Sequence, residues 1–350
     1  MSILIFLIIL AVLVFSHELG HFLVAKKSGI KVDEFGFGFP PRLFKFTKGE
    51  TLYSINLIPF GGFVKIHGEE GENKEDVRSF SSKSISIRAG VIIAGVFFNL
   101  ILAWLLYSSG YVVGVPASID SNLYGAEIKN EKIMIIDVAK NSPAEAVGLA
   151  VGDSILGFSK IEEVQEFLNS NKGEEVVLSY KHGNMDYNVK ITPRENPPEG
   201  EGAVGIAMDE IGIVKLPIHW AIWEGLKTTL RNTIFIAVSI INFIYDAFKG
   251  VAGFDNIAGP VGIVKITGVA AGLGLSSLFS FIAFLSINLA VINILPFPAL
   301  DGGRLLFLLI EKIKGSPVSQ KINGVIHGVG LAILLILMLA VTYHDILKLI

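Results

Sequence analysis

VFSHELGHFLV, Val14 to Val24, sets two histidines and a glutamate inside a run otherwise apolar enough to sit in lipid. Each ionisable side chain at that depth costs a few kcal/mol or more, so the three together call for a task. His17 and His21 stand four residues apart, which puts them on one helical face about 6 Å apart along the axis. The stretch fits H-E-x-x-H, in which both imidazoles reach one ion. Zn²⁺ is the natural candidate, because catalytic zinc takes three nitrogen or oxygen ligands and leaves a position for water. Glu18, next to the first ligand, can then take a proton from that water as general base. The plainer alternative, two buried histidines satisfied by neighbours, leaves three costly groups on one turn without a purpose.

Outward from this stretch the chain reads as a polytopic membrane protein. Of its 350 residues 51% are hydrophobic and only 17% charged, far from a soluble average. The net charge of −3 offers no basic stripe for phosphates, so nucleic acid is set aside. With no cysteine, disulfides, thiolate metal sites and cysteine nucleophiles are excluded. The first residues, MSILIFLIILAVLVF, lack a basic leader and a small-residue cleavage site, and read as a retained membrane helix. Four stretches suit a crossing of about 20 residues: Ile3 to Ala25, Ala89 to Val113, Leu275 to Leu295 and Val325 to Tyr343. A fifth, Trp220 to Phe248, is interrupted by Glu224, Lys227, Arg231 and Asp246, and reads as a surface or partly embedded amphipathic helix.

Lysines and arginines crowd the loop from Lys26 to Arg88 and recur at Arg304, Lys312, Lys314 and Lys321, which marks both segments as cytoplasmic. The N-terminus and the acidic insert after the second span then face outside. Parity reinforces this. If one ion joins the first and third spans, both run outside to inside, so Trp220 to Phe248 makes no full crossing and Asn256 stays out of the cytoplasm.

The insert has its own texture. KIMIIDV and EVVLSYKHGNMDYNVKIT alternate as strands do, with His182-Gly183-Asn184 as a hairpin turn. SPAEAVGLAVGDSIL predicts a short helix capped by Ser142, a turn at Gly148 and a glycine before the next strand. This order resembles a PDZ domain of the bacterial protease type, which implies strand-addition binding of a peptide or protein ligand. The plainer reading is a small β-rich domain without a ligand.

A third metal ligand is needed. Glu34, the nearest carboxylate downstream, sits in a Gly/Pro/Phe-rich loop, whereas NLAVINILPFPALDGGR, Asn288 to Arg304, ends an apolar span at a Pro296-x-Pro298 break followed by Asp301. There backbone and carboxylate can line a cavity, and Asp301 is the predicted ligand.

HELGH together with Asn293-x-x-Pro296-x-Pro298-x-Leu300-Asp301-Gly302 resembles the site-2 protease family of intramembrane zinc metalloproteases, specifically the bacterial regulator-of-sigma-E protease type. GGFVKIHGE and AGPVGI fall in that family's order, so the resemblance covers nearly the whole chain. It implies His17, His21 and Asp301 on zinc, Glu18 as catalytic acid/base, and Asn293 hydrogen-bonding substrate backbone. It also implies cleavage of single-span membrane proteins within the bilayer after a first cut elsewhere. The sigma-E type carries two PDZ domains in tandem, and this chain has room for one.

Cleavage of a helix requires it to be extended, and an unpaired strand edge can do that. Tyr53 to Leu57 and Gly62 to Ile66, separated by Ile58 to Gly61, read as a membrane-associated hairpin whose edge, at Gly62, Phe63 and Val64, receives substrate. A hairpin that merely covers the cytoplasmic mouth is the alternative. His67, His182, His219, His327 and His344 lack ligand spacing and read as solvated or capped, and Arg304 as an orientation charge.

The expected architecture is therefore a mainly α-helical polytopic protein of about four transmembrane helices. Residues 1–113 hold the H-E-x-x-H helix, the hairpin and the second span. Residues 114–200 form an inserted α+β PDZ-like domain, 201–271 a membrane-surface helix region, and 272–350 the LDG motif and last span. Its predicted activity is a zinc metalloendopeptidase in the cell membrane. Two competing readings fit less well. A PDZ-bearing scaffold with a relic metal site leaves the intact Glu18 unexplained, and a metal transporter would favour an inverted repeat of the HELGH span, which the chain lacks.

Overall fold

The computed structural model describes residues 1–348 apart from 70, 72, 74, 119–124, 184, 199 and 252–257, so the turn residue Asn184 and the marker Asn256 lie outside the described residues. The chain forms two compact units, one of Met1–Gly110 with Ala221–Ile350 and one of Tyr111–Trp220.

The first unit opens with α1 (Ser2–Lys27), followed by β1 (Val32–Lys48), β2 (Thr51–Ile66) and α2 (Ile85–Val113). Helix α1 is apolar around its circumference from Ile3 to Phe15, as suits a helix facing lipid and protein together. Lys26 and Lys27 lie in its last turn, where cations favour the carbonyl end. Helix α2 runs antiparallel to it: Ser16 Oγ donates to the Phe98 carbonyl at 3.2 Å, and His21 Nδ1 meets the Val91 carbonyl at 2.8 Å.

The sheet departs from the predicted hairpin. Tyr53–Leu57 and Gly62–Ile66 do not pair with each other; the first half of β1 lies between them. Phe35 opposes both Tyr53 and Val64, and Gly36 opposes both Ser54 and Phe63. The second half of β1 pairs outside Thr51–Asn56, so two bent chains make four strand segments joined by three ladders, with Gly62–Ile66 as one edge. The reason is aromatic. In the central position the Phe35 ring meets Phe22, Phe15 and Tyr53 at 5.1, 5.7 and 6.2 Å, pinning the sheet against α1.

The second unit contains β3 (Val115–Ser118), β4 (Glu127–Val138), α3 (Pro143–Ala146), β5 (Ser154–Ile155), α4 (Ile161–Ser170), β6 (Val176–His182), β7 (Met185–Ile191) and β8 (Ile206–Lys215). Its antiparallel sheet has the order β3-β8-β4-β5-β6-β7 around a core of Ile133, Ile135, Val164, Leu178 and Ile191. Ser142 Oγ caps α3 by accepting from Glu145 N–H, and Gly148 takes the left-handed conformation at φ +82°, as the motif required. Strand β8 comes from beyond residue 200, out of the stretch read as membrane surface. Its alternation is weak, and its pairing with both β3 and β4 defines it as a strand.

The first unit resumes with α5 (Ile218–Phe248), α6 (Pro260–Gly272), α7 (Leu275–Ile294), α8 (Asp301–Lys314) and α9 (Gln320–Leu347). Among the described residues five helices are long and apolar enough to cross a membrane, and α5 has the lowest mean hydropathy of them, 1.2 against 2.1 to 2.6. It packs on α2: Trp104 Nε1 donates to the Ile222 carbonyl and Asn232 to Tyr107 Oη, both at 2.8 Å. Helix α6 lies beside the first residue of α1, since Gly268 abuts Ser2, and beside the last turns of α9, where Asp345 accepts from the backbone N–H of Gly259 and Gly262. The start of α9 lies at the other end, where His327 and Gly330 meet the Pro298–Ala299 turn.

Candidate metal centre

His17, His21 and Asp301, 284 positions apart at their extremes, converge as a three-residue group able to hold a metal ion among the described residues. His17 Nε2 and His21 Nε2 lie 3.0 and 3.2 Å from Asp301 Oδ2, and 3.1 Å from each other. A tetrahedral ion with bonds of about 2.0–2.1 Å separates its ligand atoms by roughly 3.3 Å. The residues fit that group on chemistry as well as size. Two imidazole nitrogens and a carboxylate oxygen face one point, all three side chains are buried, and Asp301 Oδ2 has no other hydrogen-bond partner. Lone pairs so arranged repel unless a cation lies between them.

Glycines make the convergence possible. A side chain at Gly20 would collide with the Ala94 carbonyl, so HELGH needs its glycine for α2 to approach. A Cβ at Gly95 would stand 2.5 Å from His21 Nε2 and 2.7 Å from His17 Cε1, so Gly95 supplies the room in which the imidazoles meet. Asp301 arrives by a similar device. Pro296 and Pro298 end α7, Ala299 takes a left-handed φ of 73°, and Gly302 and Gly303 press against the carbonyls of Ile294, Leu295 and Phe297. His327 on α9 accepts from Ala299 N–H at 3.0 Å and holds the turn, a capping role in keeping with its reading as a non-ligand.

The three candidate ligand side chains form part of the wall of a cavity of about 340 Å³, shared with Glu18, Asn293 and the sheet edge Gly62, Phe63 and Val64. Glu18 Cγ lies 3.3 Å from where a Cβ at Gly62 would be, so the general-base candidate and the edge strand face each other. Glu34 is taken up elsewhere: its carboxylate accepts from Arg42 at 2.7 Å and Ser54 at 2.6 Å. Arg304, read from sequence as an orientation charge, lines the same cavity and pairs with Glu69 at 2.5 Å.

Residues 5–337 match the profile described as peptidase family M50. The chain belongs to peptidase family M50. Among M50 relatives, the regulator of sigma-W protease RasP of Bacillus subtilis is 31% identical over 434 residues, covering 98% of each chain. The zinc metalloprotease RasP of Shouchella clausii is 32% identical over 435 residues and 99% of each chain. Both matched spans exceed the 350 residues here, as expected if those relatives carry inserted stretches. Among solved structures, the PDZ domain of the SdrC-like protein from Listeria monocytogenes is similar at 25% identity and a TM-score of 0.21, covering 23% of this chain and 92% of that one.

Within this M50 chain two further histidines sit beside acids. His67 lies between Asp33 and Asp76 at 3.4 and 3.2 Å, and His182 meets Asp153 at 2.6 Å. Sequence reasoning missed Gly20, Gly95, Asn99 and Arg304. Small residues on the helix faces that meet were the available signal for the glycines.

Proposed function

We propose that this chain is an intramembrane zinc metalloendopeptidase that cleaves transmembrane segments of single-span membrane proteins. His17, His21 and Asp301 hold one zinc ion, and Glu18 is the general base. The convergence of the three ligand atoms beside Glu18, at a cavity bordered by long apolar helices, carries this reading. The M50 relatives named as zinc metalloproteases support the choice of metal.

Zinc bound there supplies Lewis acidity toward a carbonyl and lowers the pKa of a water molecule. The Glu18 carboxylate would take one proton from a water molecule as the water's oxygen adds to the scissile carbonyl carbon. When the C–N bond breaks, Glu18 gives the proton to the departing nitrogen. Before this, the substrate helix must give up its i to i−4 hydrogen bonds. The edge at Gly62–Val64, which has no strand on its outer side among the described residues, offers backbone groups to the extended segment, and the Asn293 amide adds a further hydrogen bond.

The proposed topology has α1, α2, α7 and α9 as crossings, with the N-terminus and the PDZ-like unit outside. Ser2 and Asp345, at opposite ends of the chain, both neighbour α6, which supports an even number of crossings between α2 and α6. Residues 249–258 could retrace a bilayer only if almost fully extended, at about 3.3–3.6 Å each, so α5 is best read as packed against the bundle without passing through. The PDZ-like unit takes a peptide or protein ligand there.

Glu18→Gln separates chemistry from structure. Zinc content is expected to stay at the wild-type level while cleavage of a transmembrane peptide falls by about 10²–10⁴-fold; turnover retained in that variant removes Glu18 from the mechanism.

A further inference from the structure

Asn99 is fully buried on α2, at 0% exposure and more than two turns beyond Arg88, the helix's charged residue. Its side-chain amide lies 3.4 Å from His17 Nδ1, the ring nitrogen that faces away from Asp301. Its backbone carbonyl accepts from Ser286 Oγ of α7 at 2.8 Å, and Ser286 is fully buried too. One turn of α2 thus touches the helix that carries His17 and the helix that leads to Asp301.

The amide as oriented is unsatisfactory. Its Nδ2 faces His17 Nδ1, while its Oδ1 is buried with no hydrogen-bond partner. That pairing makes Nδ1 an acceptor and puts the imidazole proton on Nε2, the atom 3.0 Å from Asp301 and 3.1 Å from His21 Nε2. A ligand nitrogen must instead present a lone pair there, so Nδ1 must carry the proton and needs an acceptor. Turning the Asn99 amide by half a revolution, a change between two atoms of nearly equal size, puts Oδ1 on Nδ1–H and moves Nδ2 to the place Oδ1 now holds; it is the orientation compatible with a lone pair on Nε2. His21 already has this arrangement, with its Nδ1 at 2.8 Å from the Val91 carbonyl.

We propose that Asn99 is a positioning residue for the metal centre. Its Oδ1 accepts from His17 Nδ1–H, fixing the tautomer and ring plane in which Nε2 can bind zinc, as the Val91 carbonyl does for His21. Partners of this kind change metal affinity by about 10–100-fold when removed. The proposal rests on the zinc reading of the site and concerns its affinity.

The test uses the purified full-length protein in detergent. Zinc affinity is measured by competition with a chromophoric chelator, the cobalt-substituted protein gives a visible absorption spectrum, and thermal unfolding of the metal-free proteins reports the fold. Asn99→Leu keeps the volume without an acceptor, Asn99→Ala removes it with less bulk, and Asn99→Asp keeps an acceptor. The expected result is a loss of zinc affinity of about 10–100-fold in Asn99→Leu and Asn99→Ala with an altered cobalt spectrum, and affinity within about threefold of wild type in Asn99→Asp. Wild-type affinity in whichever apolar variant folds, or equal losses in Asn99→Asp and Asn99→Ala, overturns the proposal and leaves the zinc site standing. A wild-type protein that takes up no zinc overturns both.

Discussion

Gly95→Ala is the sharpest single perturbation of the centre, because it adds one methyl group and changes no ligand. The added Cβ would lie 2.5 Å from His21 Nε2, where ordinary contact begins at 3.4 Å. Helix α2 cannot retreat freely: the Ala94 carbonyl, one residue before, rests on Gly20, and the Val91 carbonyl is held by His21. The imidazoles must therefore move by about 1 Å, and overpacking of this kind costs about 1–3 kcal/mol. In the metal-free protein the rings can swing into the neighbouring cavity, so the strain falls mainly on the metal-bound state. At tenfold per 1.4 kcal/mol, zinc should bind roughly 5- to 150-fold more weakly. Chelator competition on the purified protein measures this, with Gly90→Ala as control, since nothing lies within 4 Å of a Cβ at that position. Wild-type zinc affinity in Gly95→Ala, with the control unchanged, would refute the packing argument.

Three further outcomes are expected. Because the chain has no cysteine, single replacements can map its topology: Val251→Cys and Leu273→Cys, both exposed, should react with an impermeant thiol reagent from outside, and Ile313→Cys only after the membrane is opened. Labelling of Val251→Cys solely from the cytoplasm would make α5 a crossing. Asp345→Ala leaves the N–H groups of Gly259 and Gly262 without their acceptor, and chemical denaturation should show a loss of about 1–3 kcal/mol with zinc affinity unchanged. Successive N–H groups of the edge strand point alternately outward and toward β1, so of Phe63→Pro and Val64→Pro the one that removes the outward donor should cut cleavage of an intact transmembrane segment at least tenfold while a short, already extended peptide is cut nearly as before; equal losses on both substrates in both variants would argue against strand addition.

What could be read in the sequence was local. HELGH declared its ligand face by spacing, the apolar runs declared their helices by length, and Asp301 was marked by the proline break before it. The Ser142 cap and the Gly148 turn were legible because their chemistry lies within a few residues. The misses were matters of partnership. Nothing near Gly62–Ile66 says that Val32–Phe37, rather than Tyr53–Leu57, will lie beside it; the aromatic cluster around Phe35, drawn from three elements, decides that. Arg304 looked like an orientation charge because its partner, Glu69, stands 235 residues away. Asn99 and Gly95 stood unremarked in an apolar span, since their meaning comes from the imidazoles opposite them on another helix.

The central claim is that two imidazoles and one carboxylate bind a single zinc ion. X-ray absorption at the zinc edge, on the purified full-length protein and on His21→Ala and Asp301→Ala, addresses it directly. The account expects one zinc per wild-type chain with nitrogen and oxygen neighbours at about 2.0–2.1 Å, two of them imidazole, and no sulfur; both variants should lose most of the metal. Full zinc occupancy with an unchanged spectrum in Asp301→Ala, or a wild-type protein that takes up no zinc, would contradict it.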